Sequence, residues 1–188
     1  MEAKVNNTEE QRKIRKSEMT LVIVGTGIMM FGAWAAIKVF SMILLRPNET
    51  VAEMRELMFY EDPYTDKEIM ITTVILASLY VLIELGVRVF VGRAAVAEGR
   101  GARSGRLYIV FAVMLILAAL LSVLFDFAVM LNDIRGDSGT GELTRRHAGT
   151  SFVIDLTSLV MMIEMMAAAF RVKRYRKKMK KTEDAHAA

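Results

Sequence analysis

The sequence predicts an all-α integral membrane protein. Four transmembrane helices form a bundle, both termini face the cytoplasm, and a short amphipathic helix lies on the membrane surface in the first outer loop. Three observations predict this. Of 188 residues, 54% are hydrophobic, against roughly 45–50% in soluble chains, and the mean hydropathy is +0.34. The excess falls in four blocks, about 19–45, 69–91, 107–131 and 150–170, each longer than the ~18 residues that mark a membrane span. Basic residues outside the blocks are lopsided. Five in the N-terminal segment, four between blocks two and three and eight from Arg171 to Lys181 make 17 on one side, against 6 in the first and third loops. The positive-inside rule then places both termini in the cytoplasm of a plasma-membrane protein, which agrees with an even number of spans.

The organisation follows in chain order. Residues 1–18 form a basic cytoplasmic segment, 19–173 the four-span domain and 174–188 a basic cytoplasmic tail. The first block exceeds a signal-peptide core and no small-residue cleavage site follows it, so it reads as a retained helix. "TEEQ" at 8–11 has capping-box spacing and predicts a helix start at Thr8. "TVAE" at 50–53 repeats that spacing. Val51, Met54, Leu57 and Met58 follow at helical intervals, which predicts the surface helix. "EDPY" turns the chain, and "TDKE" at 65–68 caps the second span. "NDIRGDSGTGEL", rich in Gly and Asp, reads as the third loop.

Composition excludes several classes. With no cysteine, disulfides, thiolate nucleophiles and Cys-based metal sites are out. The two histidines, His147 and His186, lie outside the spans, which argues against Ser–His catalysis, haem and zinc within the membrane. "LFDF" and "VIDL" lack the Gly-x-Gly-Asp of intramembrane aspartyl proteases. No enzyme and no cofactor is expected. The pI near 9.4 is compatible with nucleic acid, yet "RVKRYRKKMKK" has no aromatic interleaving for base stacking. Arg171, Lys173, Arg174 and Arg176 are instead expected to meet anionic lipid headgroups.

The informative residues are the charges inside the blocks, because one at the centre of a membrane helix costs about 2.5–3.5 kcal/mol. Glu84 and Arg88 are four apart, close enough to pair on one helix. Thr73, Ala77 and Tyr80 extend the same face as a polar stripe expected to look inward. Depth counting at ~1.5 Å per residue groups Lys38, Asp126 and Asp155 in an outer layer, and Glu84, Arg88 and Glu164 in an inner one. Lys38 is a candidate counter-ion for Asp126 or Asp155. Asp155 and Glu164, nine residues apart, point to opposite sides of span four, so that span is expected to touch a second subunit or to line another cavity.

Gly25, Gly32 and Ala36 form a small-residue face for close helix approach, inside the bundle or between copies. "MMIEMM" at 161–166 is read as packing, with Cu(I) ligation by Met161 and Met165 as the lesser alternative. The functional expectation is an oligomeric cation or proton pathway, or a channel-forming subunit, that uses Asp126, Asp155, Glu84 and Glu164. The alternative is a non-conducting accessory, immunity or regulatory subunit docked on a larger membrane partner.

Overall fold

Long runs of helix-forming apolar residues, with proline only at Pro47 and Pro63, give a chain that is helical over most of the described residues. The computed structural model describes residues 2–57, 64–102, 105, 107–134 and 142–187. The helices are α1 (Glu2–Leu45), α2 (Pro47–Leu57), α3 (Asp66–Gly99), α4 (Leu107–Ile134) and α5 (Glu142–Ala187). No strand occurs among the described residues. α1, α3, α4 and α5 are long and apolar enough to cross a membrane. Of the turn expected at "EDPY" only Tyr64 is described, and 135–141 of the third loop, Met58, Arg103 and Arg106 also lie outside the described residues.

The ends of the helices follow local chemistry. α1 does not start at Thr8 but runs through it from Glu2. The segment before Thr8 holds neither Gly nor Pro, so nothing stops the helix there. α2 starts at Pro47 rather than at Thr50. Proline suits the first helical position because its missing N–H has no partner there anyway. The Arg46 carbonyl accepts from the Thr50 N–H at 3.0 Å, and the Arg46 guanidinium meets Glu49 at 2.9 Å.

At α3 the capping box forms as its spacing predicts. The Thr65 N–H donates to Glu68 Oε2 at 2.8 Å, and the Glu68 N–H donates to Thr65 Oγ1 at 3.4 Å. The far end of α3 closes on Gly101, whose φ of +93° is costly for any other residue. There the Ala102 N–H reaches the Ala97 carbonyl at 3.0 Å and the Gly101 N–H reaches that of Glu98 at 3.1 Å, a Schellman closure.

The chain divides into two compact units, Met1–Ile28 with Phe90–Ala188, and Met29–Val89. In the first, α4 buries Tyr108, Ala112, Leu115, Ala119 and Val123 along one stripe, and α5 buries Leu159, Met162, Met165, Ala169 and Val172. Small residues let helices approach closely. A Cβ on Gly25 would stand 2.8 Å from the Gly92 carbonyl oxygen, and one on Gly99 would stand 2.6 Å from that of Glu18. Met161 places its terminal methyl over Gly27. Phe90 meets Phe111 edge to face at 5.7 Å.

In the second unit the stem of Arg88 lies over Gly32; a Cβ there would stand 3.0 Å from Arg88 Cδ. Ala36 and Lys38 are half-buried. The polar stripe on α3 splits. Thr73 is buried and donates to the Ile69 carbonyl at 2.8 Å, whereas Tyr80 is 57% exposed. Its neighbour Val81 is buried instead, so the inward face of α3 drifts from Thr73 towards Val81 along the helix.

Outward surfaces are apolar. Leu44, Leu45, Met30, Leu82, Leu121 and Phe125 are each at least two-thirds exposed. Only 17–33% of each apolar window is buried. Gly25→Ala and Gly99→Ala are expected to lower stability by about 1–3 kcal/mol through backbone overpacking. Gly86→Ala, where nothing stands within 4 Å, should be neutral or stabilising by up to ~1 kcal/mol. Thermal unfolding in detergent, followed by circular dichroism, checks the contrast.

Candidate functional site

The densest polar cluster lies where α3 ends. Its centre is Glu98, carried past the apolar block because "AAVA" at 94–97 keeps α3 helical for two more turns. Glu98 is only 2% exposed. The Tyr108 hydroxyl, on the first turn of α4, donates to Glu98 Oε2. Lys173 of α5 brings its ammonium 3.7 Å from the same oxygen and 4.8 Å from the centre of the Tyr108 ring. That ammonium is buried and has no hydrogen-bond partner among the described residues, so charge attraction and the ring face hold it.

One helical turn on, Arg176 donates to the Glu98 carbonyl at 2.8 Å and to the Ala102 carbonyl at 3.3 Å, and it pairs with Glu18 of α1 at 3.3 Å. A guanidinium at the carbonyl end of a helix satisfies otherwise unpaired acceptors and opposes the helix dipole. Five side chains from four helices therefore close one network. Lys173 and Arg176, expected at headgroups, face this network, while Arg171 and Arg174 are exposed.

A second polar contact joins α4 and α5. Ser122 donates to Asp155 at 2.9 Å, and Ser151 donates to Asp126 at 3.0 Å. Each helix carries a serine and an aspartate four residues apart, and the antiparallel pairing is reciprocal. Phe127 and Phe152 pack beside it at 6.1 Å. In the second unit Arg88 and Glu84 form an ion pair at 2.8 Å, both largely buried.

Glu164 differs from the other acids. It lies in the C-terminal half of the apolar block 150–170 and is exposed, with no hydrogen bond or ion pair among the described residues. Val160 and Ala167, one turn to either side, are exposed as well. Met162 and Met165 are fully buried, and Met161 covers Gly27. No group of three or more His, Asp or Glu among the described residues could hold a metal ion.

Comparison with protein-family models, with curated proteins and with solved structures finds no match to this chain.

Sequence reasoning passed over Glu98, Tyr108 and Glu18. One signal was available: Glu98 is the single acid in "GRAAVAEGRGARSGR", among four arginines. A second was the matching Ser-x-x-x-Asp at 122–126 and 151–155. Glu98→Gln is expected to destabilise the fold by about 3 kcal/mol, because it strands a buried ammonium. Glu98→Gln with Lys173→Met should recover part of that loss, and Tyr108→Phe alone should cost about 1–2 kcal/mol. A double-mutant cycle of denaturation midpoints in detergent measures the coupling.

Proposed function

We propose that this chain is a four-span plasma-membrane protein that works as a non-conducting interaction subunit, docking a larger membrane partner along the Glu164 face of α5. The charge asymmetry, 17 basic residues against 6, supports an orientation with both termini cytoplasmic. In that orientation α2 lies on the outer surface, and Ser122, Asp126, Ser151 and Asp155 lie in the outer half. No enzymatic step belongs to this reading.

The observation that carries it is Glu164, exposed and without a partner among the described residues. A carboxylate facing lipid within the apolar part of a span costs up to a few kcal/mol, and a partner helix that offers a basic or hydroxyl group at that depth removes the cost. A two-fold self-contact through this face would set carboxylate against carboxylate, which is unfavourable while both are ionised. That favours a different chain as the occupant.

The competing reading, an oligomeric cation or proton pathway through Asp126, Asp155, Glu84 and Glu164, has less support. The first two accept hydrogen bonds from serines and the third is held by Arg88. Only Glu164 is left to line a pore.

Photo-crosslinkers at Val160 and Ala167 of the full chain, in its native membranes, test the proposal. The expected result is one discrete adduct with a chain of different mass. Glu164→Leu should reduce its yield about five- to thirtyfold, the range expected for one polar contact between membrane helices, and reconstituted vesicles should show background cation flux. A ladder of self-adducts, together with flux that Glu164→Gln abolishes, would restore the pathway reading in its place.

A further inference from the structure

Four side chains on the basic part of α5 line an open groove of about 370 Å³: Arg171, Arg174, Tyr175 and Lys178. Their spacing of three, four and seven puts them on one side of the helix. Lys173 and Arg176, interleaved in sequence, turn to the other side and are used by Glu98 and Glu18. α5 therefore sorts its basic residues, with Lys173 and Arg176 turned to internal acids and Arg171 and Arg174 facing outward. Arg171 and Arg174 are exposed and carry no ion pair among the described residues, and no acid lines the groove.

We infer that this groove binds the phosphate of an anionic phospholipid. Guanidinium forks match phosphate oxygens in a bidentate fashion, and the Tyr175 hydroxyl adds a neutral donor. What selects a lipid over a free anion is the surface one turn away. Phe170, 55% exposed, stands four residues before Arg174, and Ile163, 51% exposed, lies two turns below on the same side. An acyl chain can lie along that apolar strip while its phosphate sits among the arginines. Free phosphate would use only the basic half. The inference does not depend on Glu164 or on the identity of any protein partner.

The test uses the full chain in neutral detergent. Native mass spectrometry measures binding of phosphatidylglycerol and of phosphatidylcholine with the same acyl chains. The parent should bind phosphatidylglycerol roughly tenfold more tightly, and Arg171→Gln with Arg174→Gln should bring the two lipids close to parity. Arg12→Gln with Arg15→Gln removes the same charge from exposed positions on α1 and should leave the preference within about twofold. Unchanged circular dichroism confirms that both double variants fold. The inference is overturned by equal losses in the two variants, which means diffuse attraction only, or by no preference in the parent. Displacement of the lipid by millimolar inorganic phosphate overturns the lipid assignment.

Discussion

Apolar side chains cover the outside of α1, α3, α4 and α5, and this condition decides where polar groups can go. In lipid no water is at hand to satisfy a donor or a charge, so each must find a partner within the protein or reach an interface. Most of the described polar side chains on these helices obey. Thr20, Thr26, Thr73, Ser78 and Thr157 each donate to the carbonyl four residues back. Asp126 and Asp155 draw on serines of the facing helix. Glu84 and Arg88 draw on each other, with room for the arginine stem made by Gly32. Against that background the exposed carboxylate of Glu164 has meaning, because the other described charges inside the apolar blocks, Lys38, Glu84, Arg88, Asp126 and Asp155, each have an interaction.

The Glu98 network serves a different end. It lies beyond the most apolar stretches, where α3 closes and α4 begins, and it uses charges on three helices and a tyrosine hydroxyl on the fourth. Apolar contact between helices has little driving force in lipid, so directional contacts carry more of the work of fixing their relative positions. Arg176 does two tasks at once, meeting the Glu98 carbonyl in the last turn of α3 and holding α1 through Glu18. The close passage of Gly99 past the Glu18 backbone brings those groups within reach.

What the sequence reveals here is what depends on near neighbours. Block length and hydropathy yield four helices able to span a membrane. The spacing of Thr65 and Glu68 yields a cap, and that of Glu84 and Arg88 is enough to bring them together. Contacts between distant residues are less legible. Glu98 looked like a loop residue because the apolar block ends before it, while the helix does not. Lys173 and Arg176 looked like their neighbours Arg171 and Arg174, since nothing local distinguishes a cation that meets a buried acid from one that faces outward. Thr8 misled for the converse reason: a capping box does not by itself start a helix when no Gly or Pro stands before it to end the preceding turn.

The reciprocal serine and aspartate pairing has a consequence for assembly. Two antiparallel helices with smooth apolar faces can slide by whole turns at small cost, because Leu against Leu differs little from Leu against Val. Ser122, Asp126, Ser151 and Asp155 remove that freedom. A slip of one turn, about 5.4 Å, in one direction brings Asp126 level with Asp155, anion against anion. A slip in the other direction leaves Asp155 level with Ala118, which offers it no donor. The motif thus acts as a two-tooth ratchet that admits a single alignment of α4 and α5.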